Sequence, residues 1–246
     1  MLEAGFDQAH GLQALDLRPP TRVLPVVASP DGERSLELLW RLEHGLRALG
    51  LPVLVQEGAR GLCVADAQAG HREVLRRWLD GVPPGGVVLL HAPLDALTAL
   101  LADSPARPLV ALTDAPAARV GAYNAVKVLH QAAALQPIVL RLEAVDDPAA
   151  APDVSARLAQ AEQALRATCA QRLGWVPVVW PLGYHPSRNG TVAGRLAESG
   201  WLKLLDSALT IDESETRAHD DPCRQRCPIP ADQTLGVPDV HRQRHA

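Results

Sequence analysis

The chain lacks a basic block, a long apolar run and a cysteine framework. Its 246 residues carry 24 Lys and Arg against 28 Asp and Glu, a net charge of −4, and only two lysines, Lys127 and Lys203. An acidic balance without clustered cations argues against a large nucleic-acid footprint. No apolar run reaches the roughly 20 residues of a membrane span. Glu3 and Asp7 stand where a secretory leader would carry positive charge, so the expectation is a cytoplasmic protein. In that compartment the four cysteines, Cys63, Cys169, Cys223 and Cys227, read as free thiols.

What is present is enough apolar content, 47% of residues, to bury one substantial core. From about residue 22 to about 205, short apolar runs alternate with longer helical patterns. The predicted strands are 23–28 (VLPVVA), 52–56 (PVLVQ), 87–90 (VVLL), 109–113, 138–142 and 176–180. Helices are predicted over 36–49, with Leu38, Leu39, Leu42, Leu46 and Leu49 inward, and over 71–79, 94–101, 117–135, 154–173 and 191–209. Gly50 supplies a stop for the first of these, and Pro83-Pro84-Gly85-Gly86 ends the second. Unbroken β-branched runs between helices imply parallel strands buried on both faces. The fold class is therefore α/β, a doubly wound, mostly parallel sheet in three layers, α/β/α. Three regions follow: an N-terminal arm over 1–20, the α/β domain over 21–210, and a polar tail over 211–246. The tail is rich in Asp, Glu, Arg, His and Pro and predicts disorder.

Two segments carry functional weight. In the arm, Asp7-Gln8-Ala9-His10-Gly11-Leu12 is followed by a helix-breaking Pro19-Pro20. Asp7 sits at an N-cap position, and Ala9, Leu12 and Leu15 share one face of a short amphipathic helix. A detached amphipathic arm suits contact with another molecule. After the first strand comes Ser29-Pro30-Asp31-Gly32-Glu33-Arg34-Ser35, at the carboxyl end of the strand, where parallel sheets bind ligands.

The Asp-Gln-Ala-x-x-Leu string ahead of such a strand resembles the arm of FlhG, the MinD-type regulator of flagellar placement and number. Further resemblance lies in the order of Leu51–Val55 (LPVLV), Val88–Pro93 (VLLHAP), Ala111–Pro116 (ALTDAP) and Gly183–Pro186 (GYHP). The resemblance implies a P-loop NTPase fold of the MinD (SIMIBI) kind. It also implies that the arm binds and activates the signal-recognition-type GTPase FlhF. In that family the arm's Gln is thought to help position the attacking water. Gln8 is accordingly assigned the stimulating role, Asp7 a capping or positioning role, and Ala9 and Leu12 the contact. The family often carries Arg after the Leu, where this chain has Gln13.

The nucleotide machinery of that family is largely missing. Its glycine-rich loop offers backbone N–H groups and lysines to phosphate. Here Ser29, Gly32, Glu33, Arg34 and Ser35 form a shorter loop without lysine, in which Pro30 removes a donor and Asp31 and Glu33 add negative charge. Arg34 is an inexact substitute for lysine. Glu57 and Ala59 stand where relatives have Asp-x-Asp, and His91 where they carry a metal-binding Asp. The expectation is a pseudo-ATPase, with no catalytic residue, no metal and no cofactor, Mg-ATP being held only if the divergent loop still binds it. An FlhF-type GTPase is the expected partner, with polar localisation through it, a homodimer as an option, and peripheral membrane contact at most. The alternatives are an active but divergent MinD-type ATPase using Arg34, or a MinD-like accessory of another polar or secretion system such as cellulose synthesis.

Other clusters read more plainly. His219, Cys223, Cys227, His241 and His245 could gather zinc, but Cys-x3-Cys is not the usual finger spacing, and a solvated tail is the expectation. Trp175, Trp180 and Trp201 are expected in core or rim. The stripe of Trp201, Leu202, Leu204, Leu205 and Leu209 is expected to pack on the domain, because Glu198 and Asp206 offset Arg195 and Lys203.

Overall fold

A computed structural model describes residues 20–30, 32–57, 73–75, 82–143, 151–186, 192–195 and 198–211. The predicted arm residues Asp7, Gln8, Ala9 and Leu12 lie outside the described residues, as do Asp31, Ala59, Cys63 and, beyond Ile211, the tail with its His and Cys cluster. The elements in chain order are β1 (Thr21–Val27), α1 (Glu33–Ala48), β2 (Val53–Glu57), β3 (Val87–Ala92), α2 (Leu94–Leu101), β4 (Leu109–Leu112), α3 (Pro116–Ala133), β5 (Ile138–Leu142), α4 (Ala151–Leu173), β6 (Val178–Pro186), β7 (Val192–Arg195), α5 (Glu198–Asp206) and β8 (Leu209–Ile211). Residues 73–75 are helical as well.

The sheet runs β2-β3-β1-β4-β5-β6-β7, with β8 added beside β1. Strands β1 to β6 pair in parallel, while β7 pairs antiparallel with β6 and β8 antiparallel with β1. Connection direction decides which face each helix covers. The step from β1 to β2 runs one way along the sheet, and the steps from β2 through to β6 run the other. Right-handed crossovers then put α1 on one face and α2, α3 and α4 on the opposite one. The core follows this division. Leu38, Leu42 and Leu46 of α1 pack with Leu24, Val26, Leu89 and Leu140, joined by Trp201 and Leu204 of α5. On the other face Leu97, Leu101, Val126, Leu129 and Leu165 pack with Val23, Val88, Leu90, Val110 and Val139, alongside Val74 and Leu75. Both faces of each central strand are thus buried, which is why those strands read as continuous apolar runs.

Pro25 lies inside β1, where a missing N–H would normally cost a ladder bond. The Arg22 N–H donates to the Gly86 carbonyl and the Ala28 N–H to the Ala92 carbonyl, both at 2.9 Å, so even positions of β1 serve β3. Pro25 therefore faces the other edge. There β8 pairs no further than Val23 and β4 joins only at Val26. The absent donor falls at the junction between two partners.

Two expectations are corrected. The span 191–209 is not one helix: β7 occupies Val192–Arg195, α5 is limited to Glu198–Asp206, and Leu209 belongs to β8. Two carbonyls, of Lys203 and Leu204, accept the Ser207 N–H at 3.1 Å, the Ser207 hydroxyl donates to Leu204 O at 2.7 Å, and the helix ends there. Leu209 and Ile211 are then buried and Thr210 exposed, the alternation of a strand. In the same stripe Leu202 is solvent-facing, while Trp201 and Leu204 are buried on the domain. The second correction is Leu49, which follows the end of α1 and is exposed instead of inward. Its neighbour Gly50, at φ 77°, is the left-handed turn that releases the chain toward β2.

Candidate functional site

Loop 28–35 connects the carboxyl end of β1 to α1 and lies next to β4. Because α1 leaves to one face and α3 to the other, this is the point where connection direction reverses and a parallel sheet opens a crevice. The loop is a tight turn closed on itself. Gly32, at φ 72°, occupies a conformation few side chains tolerate, and its N–H donates to Ser29 O at 2.9 Å. The Ser35 hydroxyl accepts the Ser29 N–H at 3.0 Å and donates to Gly32 O at 3.1 Å. The Ser29 hydroxyl accepts the Ser35 N–H at 3.2 Å and donates to the Ser35 oxygen at 3.1 Å. Ser35 is fully buried.

Both hydroxyls of the loop, and the Ser29, Gly32 and Ser35 N–H groups, are therefore bound within it. A phosphate loop works by aiming such donors outward. Glu33 is exposed in the first turn of α1, so its carboxylate supplies the negative charge that the helix N-terminus favours.

Beneath the loop lies a cavity of about 130 Å³, lined by Val27, Ser29, Pro30, Arg34, Leu94 and residues of α3 from Ala118 to Ala125. Small-molecule sites usually run to roughly 300–1,000 Å³. The lining is mostly apolar, with Ser29, Arg34 and Asn124 as its polar members. Arg34 extends across toward α3: its Nη1 lies 3.8 Å from where a β-carbon on Gly121 would stand.

Two titratable residues end the neighbouring strands. Glu57 and His91 are register partners on β2 and β3, at the carboxyl end of the sheet. Glu57 is exposed, whereas His91 Nε2 is buried without a hydrogen-bond partner. Burial lowers the His91 pKa below the usual imidazole value, and the nearby Glu57 carboxylate opposes that shift without reversing it. Among the described residues no group of three or more His, Cys, Asp or Glu side chains is placed to hold a metal ion.

The sign of the His91 shift gives a stability prediction. The unfolded chain takes up a proton near pH 6.5, before the folded chain does, so His91 costs nothing above that pH and destabilises the fold progressively below it. The stability difference between His91→Leu and the parent chain is expected to move in favour of the variant from pH 7.5 to pH 5.5. Parallel urea midpoints of the two proteins over that range would refute it.

Two features escaped the sequence reading. Arg41 lies on the buried face of α1, where its Nη1 donates to Glu143 O at 2.7 Å and to Leu182 O at 2.8 Å, and its Nε to Glu37 Oε1 at 2.7 Å. Its signal was a charge inside an apolar helical stripe, between Leu38 and Leu42. Arg34 reaching α3 had no sequence signal. Of the tryptophans, Trp201 is core, Trp175 stacks on His130 with ring centroids 4.8 Å apart, and Trp180 is partly buried against the α1 face. Cys169 is buried, and burial pushes its thiol pKa up, which keeps it protonated and unreactive.

Among the described residues no helix is long and apolar enough to cross a membrane. No protein-family model matches the chain, and no curated protein shows significant similarity to it.

Proposed function

We propose that this chain is a regulatory binding protein: a MinD-like P-loop scaffold that has given up nucleotide chemistry and presents its arm, residues 1–20, to an FlhF-type GTPase. The observation that carries the first half is the closed loop. Ser29 and Ser35 bond to each other and to the loop backbone, and the cavity below is small and apolar. The second half is supported by Asp7-Gln8-Ala9 and Leu12 of the sequence. Thr21, where the arm joins β1, stands at the opposite end of that strand from loop 28–35. Seven residues of strand separate the two by about 20 Å.

The test is GTP turnover by a purified FlhF-type GTPase with and without peptide 1–20. The peptide is expected to raise turnover by ~10-fold or more, since positioning the attacking water is a large term in GTP hydrolysis. Gln8→Ala in the peptide should remove most of that gain. Unchanged turnover with the parent peptide would reject the reading.

One observation favours a second reading, a divergent ATPase: Arg34 lines the cavity, so a reopened loop would bring its guanidinium to an anion. Titration of the full chain with Mg-ATP separates the two. A micromolar constant lost in Arg34→Gln supports the ATPase, and no saturation at millimolar nucleotide supports the carrier.

A further inference from the structure

A second groove lies at the other end of the sheet, remote from the loop. Its volume is about 450 Å³, within the roughly 300–1,000 Å³ usual for small ligands. It is formed where the C-terminal end of α5 and β8 pass over the amino-terminal ends of β4 and β6. The side chains that give it chemistry are Arg107, Trp180, Lys203, Asp206, Ser207 and Thr210. None was assigned a role by the sequence.

Charge pattern narrows the ligand. Arg107 and Lys203 are cationic, and among the described residues Arg107 donates its Nε to Gln136 O at 3.2 Å. Opposing them are Asp206 and the carbonyl end of α5, which carries partial negative charge. Two cations against one carboxylate and the roughly half charge of a helix C-terminus leave about half a net positive charge, so a multiply charged phosphate is poorly matched. A carboxylate and an ammonium on one molecule satisfy both sides: the carboxylate at the Arg107 fork and Lys203, the ammonium at Asp206. Trp180, partly buried, adds its indole to the lining beside them, apolar area for an apolar or planar body. The hydroxyl of Thr210 is exposed at the rim.

We propose that this groove binds a zwitterionic amino acid with an aromatic or apolar side chain, the juxtaposition of Arg107 and Lys203 with Asp206 around Trp180 selecting it. The site stands independently of the GTPase reading, since it uses neither the arm nor loop 28–35.

The test follows the indole N–H resonance of Trp180 in the full-length chain, assigned by its loss in Trp180→Phe, during titration with L-phenylalanine, 3-phenylpropionate, phenethylamine and inorganic phosphate. L-phenylalanine is expected to saturate below ~5 mM and to bind more tightly than the other three. Lys203→Gln should weaken both carboxylate-bearing probes by about tenfold. Asp206→Asn should weaken L-phenylalanine and leave 3-phenylpropionate unchanged. Both residues are exposed, so neither substitution threatens folding. A Trp180 resonance unmoved at ~20 mM L-phenylalanine would overturn the proposal. So would phosphate binding more tightly than the amino acid, or equal binding of all three aromatic probes.

Discussion

Replacing Trp201 with alanine is expected to lower the unfolding free energy by about 3–5 kcal/mol, the range for removing a large buried aromatic. Trp201 is 4% exposed and lies against α1 at Gly45. A β-carbon at Gly45 would fall 2.1 Å from Cζ2 and 2.3 Å from Cη2 of the indole, far inside van der Waals contact. The indole needs the hollow that a glycine leaves in the last turns of α1. In an open helical position Gly45→Ala would gain about 1 kcal/mol from helix propensity. Here the overlap expels the ring, so the loss is expected to exceed that gain and approach the loss from deleting the ring itself. The two changes are therefore coupled. With Trp201 already alanine, Gly45→Ala is expected to be neutral or stabilising by up to ~1 kcal/mol. A double-mutant cycle by urea unfolding measures the reversal of sign. If Gly45→Ala has the same effect in both backgrounds, the two helices do not meet as described.

The second large effect is expected at Arg41, which is 4% exposed. Its guanidinium ties α1 to the carboxyl end of β5 and the middle of β6 by donating to Glu143 O and Leu182 O. Arg41→Met keeps much of the apolar stem but takes the guanidinium donor from both carbonyls, of which Leu182 O keeps the Glu143 N–H at 3.2 Å. At about 1–3 kcal/mol for an unsatisfied group, toward the low end for the part-buried Glu143 oxygen, and about 1 kcal/mol for the bond lost at Leu182 O, the expected loss is about 2–3 kcal/mol. Arg41→Lys keeps the charge without the planar fork and should recover only part of it. By contrast Glu37→Gln should cost under about 1 kcal/mol, because Glu37 is 45% exposed and its ion pair is screened. Equal urea midpoints for Arg41→Met and Glu37→Gln would show that the ion pair, and not the carbonyl clamp, is what Arg41 contributes.

These contacts bear on function because α1 carries Ser35 and the closed loop at its start. Gly45 packs on Trp201 near the end of the helix, and Arg41 bonds to the sheet at its middle. A helix held at both places favours one position of its N-terminus.

The amino-acid pattern by itself determined the α/β class, the parallel strands and most helices. Ile138–Leu142 and Leu94–Leu101 fall where periodicity puts them. The physical reason is local: a strand buried on both faces must be apolar throughout, and a helix buried on one side must repeat every three to four residues.

Tertiary structure decided the rest. Trp201, Leu204, Leu205 and Leu209 have helical spacing, yet Leu209 is in a strand, because β4 reaches β1 only at Val26 and leaves the amino half of that edge open for pairing. Whether Ser29 and Ser35 face a ligand or each other depends on the turn at Gly32. The Arg41 clamp joins residues more than a hundred positions apart. A hydrogen bond or a ring seated on a glycine is a property of two segments brought together, and neither segment's sequence contains its partner.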